Sequence, residues 1–98
     1  MSCYMIVQAS ITDPVRFARY TAETPKLVEA YGGRYLCIGR NAELLEGTFG
    51  AGRSVVISEW PSREHAQDFW HSEAYSALKA LRAGTGDFNV TLVDHLFA

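Results

Sequence analysis

The chain is predicted to fold as an α+β sandwich: a four-stranded antiparallel sheet with its helices on one face. Three observations predict this. Strand-like and helix-like segments follow one another in the order β-α-β-β-α-β. Asp-Pro, Gly-Gly and Pro-Ser steps fall at the joins between them. The length, 98 residues, supports one core only, so a single domain spans 1–98.

Residues 3–11, CYMIVQASI, are rich in β-formers with apolar side chains on both alternating faces, the pattern of a central strand. Thr12-Asp13-Pro14 supplies a capping side chain and a proline where a missing N–H does no harm, so a helix starts there. Phe17, Tyr20, Thr24, Leu27, Val28 and Tyr31 then recur at helical spacing. Pro25 is expected to kink this helix, or split it, near Thr24. Gly32-Gly33 ends it. RYLCIG, 34–39, is the second strand, and Glu43-Leu44-Leu45-Glu46 is a candidate continuation after a turn at Arg40-Asn41. GTFGAG, 47–52, is a flexible connection, because its glycines lack the spacing and the Lys-Ser/Thr of a phosphate loop.

RSVVISEW, 53–60, is the third strand, and Ser62 after Pro61 caps a short helix with Ala66, Phe69 and Trp70 on its apolar side. Ser72 caps a further turn carrying Tyr75, Leu78 and Leu81. AGTGD, 83–87, breaks the chain before FNVTLVDHLF, 88–97, which alternates as a fourth strand. Right-handed crossovers put both helical segments on one side of the sheet, which is the ferredoxin-like arrangement.

Composition narrows the function classes. With 48% apolar and 20% charged residues and a net charge of −2, the chain is neither disordered nor a basic nucleic-acid binder. No apolar run reaches a membrane span, and the start lacks a basic region and a small-residue cleavage site, so no membrane partner and no signal peptide are expected. Cys3 and Cys37 sit in apolar strand-like surroundings and are expected to be buried thiols of a cytoplasmic protein. No CxxC, HxxxH or HExxH spacing occurs, so neither metal nor cofactor is expected. His71, on a helix, is an exposed histidine rather than a haem ligand. No nucleophile elbow marks a hydrolase.

Two helices cover one face of a four-stranded sheet, yet the strands carry apolar residues on both. Met5 and Val7 oppose Tyr4 and Ile6; Val55 and Ile57 oppose Val56 and Trp60. A bare second face would be an apolar patch of several hundred Å² or more, roughly what monomers rarely leave open. A homodimer through the sheet face is therefore expected.

Asp13-Pro14, Tyr20, Pro25, the run Tyr31-Gly32-Gly33-Arg34-Tyr35-Leu36, Gly39, Glu46-Gly47, Arg53, Trp60-Pro61-Ser62, Ala66 and FWHSEAY at 69–75 occur in one order. Together they resemble the small bacterial proteins grouped as domain of unknown function 1330, within the dimeric α/β-barrel superfamily. The resemblance covers nearly the whole chain. It implies a ferredoxin-like protomer whose sheets pair into a barrel, and it maps that family's aromatic pair onto Phe69 and Trp70. Superfamily relatives include cofactor-free monooxygenases, lactone isomerases, haem enzymes and stress-response proteins, so the fold does not name a reaction. The family's Ser-Pro is Ser72-Glu73 here, and the rigid turn is lost.

Glu46 and Glu59 are the candidate catalytic carboxylates. In an apolar cavity a carboxyl holds its proton to higher pH and serves as a base near neutrality; alternatively each pairs with Arg34 or Arg53. Those two arginines are candidates for holding a substrate carboxylate, or for satisfying the glutamates. Tyr20, Tyr31, Trp70 and Tyr75 face the sheet from the helices, either as pocket walls with polar tips or as core. Tyr20, Trp70 and Tyr75 are the chosen ligand-binding residues among them. The expected function is capture of a small acidic or aromatic molecule in a cavity of the dimeric barrel, with cofactor-free acid/base chemistry of isomerase or monooxygenase type. The alternative is a non-catalytic ligand-binding or stress-associated dimer.

Overall fold

In the computed structural model, which describes residues 2–96, the chain runs β1 (Cys3–Ile11), α1 (Pro14–Ala30), β2 (Arg34–Gly39), β3 (Ser54–Trp60), α2 (Arg63–Trp70), α3 (Glu73–Leu81) and β4 (Gly86–Asp94). The four strands form one sheet in the order β2-β3-β1-β4, with every neighbouring pair antiparallel. This is the ferredoxin-like fold, with its second helical segment divided into α2 and α3.

Local chemistry accounts for the joins. Asp13 Oδ1 accepts the Arg16 N–H at 3.1 Å and Pro14 opens α1. At the other end Gly32, with φ +90°, donates to Glu29 O at 3.0 Å, while Gly33 donates to Val28 O at 2.9 Å. These two bonds form the Schellman closure, which needs a left-handed residue where Gly32 stands. Gly33 serves a different purpose. A Cβ there would lie 2.8 Å from the Trp60 ring, so the glycine lets β3's last side chain fit beneath the helix end.

Several expectations are corrected. Pro25 does not split α1, which continues to Ala30 as one helix. The bond that proline forgoes would have used the carbonyl of Thr21, which is exposed and open to water, while buried Thr24 and Val28 anchor the helix on both sides. Glu43–Glu46 does not extend β2. The chain leaves the sheet at Gly39, and Ala42 and Arg53 close the connection by a 3.1 Å backbone bond. Loss of the family's proline does not disturb α3, because Ser72 Oγ accepts the Tyr75 N–H at 3.0 Å and caps the helix directly. The predicted fourth strand reached Phe97, which lies outside the described residues.

Register decides which face of each strand meets the helices. Cys3, Met5 and Ala9 of β1 and Ser58 and Trp60 of β3 are buried beneath α1–α3, joined by Val90 and Leu92 of β4. Tyr4, Ile6, Val55, Ile57 and Glu59 therefore point to the opposite, outer face. On β2 the pairing skips Leu36, so Tyr35 stands opposite Ser58 but Cys37 stands opposite Ile57. This bulge turns Cys37 outward. It is exposed on an edge strand rather than buried, whereas Cys3 is fully buried.

Candidate functional site

The core does not fill the space between sheet and helices. Trp60, Phe69, Ala66, Val28 and Tyr75 pack densely at the α2 end. Toward the end of the sheet where β1 and β2 finish and β3 and β4 begin, the layers part around a cavity of about 590 Å³. Val7, Val56 and Val90 form its floor, Tyr20 and Thr24 its roof, and Trp70 and Tyr75 one wall. Ile38 and Arg40 stand at the edge where β2 ends, and Ile38 is 71% exposed, so the cavity opens there. Most of the lining is aliphatic or aromatic, as in ordinary small-molecule sites.

Two phenols provide the polar focus. Tyr20 from α1 and Tyr75 from α3 hold their hydroxyls 2.8 Å apart although 55 residues separate them in the chain. Tyr75 is buried, with its ring 4.5 Å from Phe69 and 5.1 Å from Trp70, centroid to centroid. A hydroxyl pair shares one hydrogen bond and leaves the other proton free to donate to a ligand oxygen. Burial pushes the Tyr20 phenol well above the usual range, and Tyr75, as neighbour and hydrogen-bond partner, pushes it further. Arg82 and the Thr24 hydroxyl act weakly the other way. Tyr35, also lining the cavity, is raised by burial and then by Tyr75.

These shifts set an alkaline limit on stability. Folded Tyr20 and Tyr35 keep their protons where the unfolded chain has released them, which begins at about pH 10. Their stabilisation is therefore fully present below that pH and is lost as pH rises toward the folded values. Urea midpoints are expected to hold steady to about pH 9 and fall by about pH 11, with a smaller fall for Tyr20→Phe. Equal losses in the variant and the parent protein would contradict the assignment.

The predicted site residues divide between the two faces of the sheet. Tyr20, Trp70 and Tyr75 line the cavity. Tyr31 packs against the core beside Phe69. Glu59 and Arg34 are on the outer face, where Arg34 Nε reaches Glu59 Oε1 at 2.8 Å and Nη2 reaches it at 2.6 Å. The paired reading thus holds for Glu59, which misses the cavity because strand alternation hands the inner face to its neighbours Ser58 and Trp60. Glu46 is exposed in the β2–β3 connection. Arg53 pairs with Asp87 at 2.9 Å and lies 4.6 Å from the centre of the Phe49 ring. Its Nη1 is buried with no hydrogen-bond partner among the described residues.

Of the cavity residues that the sequence reading did not single out as site residues, one is both charged and buried. Arg82, the residue closing α3, lines the cavity and is only 9% exposed. An arginine in the last turn of a helix reads as a cation opposing the helix dipole, and that signal conceals any other role. Among the described residues, the cavity lining contains no Asp, Glu or His. No group of three or more metal-ligating side chains occurs among the described residues either.

The sequence matches the family described as domain of unknown function (DUF1330) over residues 2–96. The chain belongs to that family. Its fold is similar to that of a protein of unknown function from Rhodopseudomonas palustris, with a TM-score of 0.82 at 16% identity, covering 99% of this chain and 84% of that one. It is also similar to SnoaB, a cofactor-independent oxygenase from Streptomyces nogalater, with a TM-score of 0.71 at 10% identity, covering 99% and 95%. A Mycobacterium tuberculosis protein matches with a TM-score of 0.61 at 18% identity, covering 100% and 98%. A comparison with curated protein sequences finds no match. These neighbours share the ferredoxin-like fold described above. At such identities the likeness is one of fold. No helix among the described residues is long and apolar enough to cross a membrane.

Proposed function

We propose that the chain binds a small, flat, oxygen-bearing aromatic molecule in the sheet–helix cavity. The observation that carries this reading is the Tyr20–Tyr75 hydroxyl pair, 2.8 Å apart, at the border of about 590 Å³ of largely apolar space. Rings stack against Trp70 and Phe88, and a phenol proton meets the ligand's oxygen. Any proton transfer uses these phenols as acids, since the cavity lining holds no carboxylate among the described residues. That same lack of a base favours the second reading, in which the cavity captures a ligand without transforming it. The likeness to a cofactor-independent oxygenase favours instead a reading in which the bound molecule is transformed there.

The protomer is further proposed to pair with a second copy across its outer sheet face, in the cytoplasm. Leu36 and Val93 are 47% and 42% exposed, and both Tyr4 and Ile57 belong to that face.

Titration with methyl 2-naphthoate, a neutral flat ester, tests the cavity. Binding is expected to quench tryptophan fluorescence through Trp70, and Val56→Phe, which fills the cavity floor, is expected to abolish it. Unchanged binding by the filled variant would overturn the site. Sedimentation of the same samples is expected to give twice the 10.9 kDa protomer mass; a single protomer at high concentration would overturn the pairing.

A further inference from the structure

Arg82 is the only charged residue among the described ones that is buried. The five ion pairs of the described residues engage Arg16, Lys26, Arg34, Arg53 and Arg63, and none engages Arg82. Its guanidinium carbon instead lies 4.3 Å from the centre of the Phe88 ring and 5.7 Å from that of Tyr20. Aromatic faces compensate part of the lost hydration of a guanidinium. They engage its planar faces and leave the N–H edge uncommitted.

The backbone holds this residue in place. The Arg82 carbonyl accepts both the N–H of Thr85, at 3.0 Å, and the Thr85 hydroxyl. Thr85 is fully buried, and its own carbonyl accepts the N–H groups of Thr12 and Asp13 at 2.8 and 3.0 Å. The turn after α3 is thereby tied to the start of α1. A cation so positioned, in a cavity whose lining holds no acid among the described residues, is suited to pairing with an anion. Arg40 at the cavity edge adds a second positive charge.

We infer that the ligand is an aromatic carboxylate, its two oxygens held by the edge of the Arg82 guanidinium and its ring set among Tyr20, Trp70 and Phe88. A carboxylate matches the paired N–H geometry of arginine, which a single phenolate oxygen does not. This inference rests on the cavity reading above and adds the charge that the cavity selects.

The test compares 2-naphthoate, ionised at neutral pH, with its methyl ester. The parent protein is expected to bind the acid about tenfold or more tightly than the ester, the scale of a charge-assisted contact. Arg82→Met is expected to remove that preference, so that the acid binds no more tightly than the ester. Arg82→Lys, which keeps the charge but not the fork, is expected to recover part of it. If the ester binds but the acid binds no better, or if Arg82→Met weakens both alike, the charge assignment falls and the cavity reading stands. If neither probe binds, both fall. Arg82 also borders an outer depression with Ser76 and Lys79. Acid binding that survives Val56→Phe would put the anion there and overturn the inference. Should Arg82→Met fail to fold, the acid-to-ester ratio of the parent protein and of Arg82→Lys still decides.

Discussion

Replacing Trp60 with alanine is expected to lower the free energy of unfolding by about 3–5 kcal/mol, the range for emptying a buried aromatic site. Trp60 is 1% exposed and ends β3 beneath both helical segments. Its ring lies 5.0 Å from that of Phe69, centroid to centroid, and its Nε1–H donates to Ser58 Oγ at 3.0 Å. Truncation removes the ring, leaves Ser58 without that donor, and opens a void that the surrounding backbone cannot close, because β1 and β2 flank β3 on both sides. Domains of this size have about 5–15 kcal/mol in all, so the variant should be marginal. Urea denaturation measures the loss. A change below about 1 kcal/mol would mean that the site collapses freely, contrary to the packing described. Gly33→Ala probes the same contact from the other side, since its new methyl group meets the ring.

Gly86→Ala is expected to cost about 3 kcal/mol, at or above the upper end of ordinary overpacking, because the collision is with backbone on a neighbouring strand. Gly86 opens β4 opposite Ile11, and an added Cβ would run into the Ser10 carbonyl and the Ile11 Cα. No flexible side chain can yield there. The start of β4 must move away from β1, and the preceding turn, which carries Thr85 and Arg82, moves with it. Faster amide exchange at the β1–β4 end is the local signature, alongside a lower urea midpoint. Stability within about 0.5 kcal/mol of the parent protein would contradict this account. Naphthoate binding should weaken more than ester binding if the turn positions Arg82 as inferred.

The two glycine sites show how much a sequence conceals in a familiar signal. Gly32-Gly33 reads as one helix stop, and it is one. Yet only Gly32 needs a left-handed backbone, while Gly33 is glycine because Trp60 lies against it. That contact joins residues from different elements, and no local pattern announces it. The same holds for Tyr20 and Tyr75. Helical spacing places each on an inward face, but their meeting depends on α1 and α3 lying side by side over the sheet.

Alternation and capping were sufficient to order the strands and helices along the chain and to show that both sheet faces carry apolar side chains. They could not say which face met the helices, because Met5 and Val7 are no greasier than Tyr4 and Ile6. A shift of one residue exchanges Ser58 for Glu59 and so moves a carboxylate from a cavity to the opposite side of the sheet. The bulge at Leu36 did the same for Cys37. Arg82 was hidden for a different reason, since the last turn of a helix is where an exposed cation ordinarily belongs.

What the sequence by itself determined is the architecture, because strand and helix periods, caps and glycine stops are local and act within a few residues of one another. What only the tertiary structure decided is the site: the pairing of two distant phenols, the burial of one arginine and the displacement of both candidate glutamates. Those depend on register and on how the layers stack, and neither is encoded in the neighbourhood of any one residue.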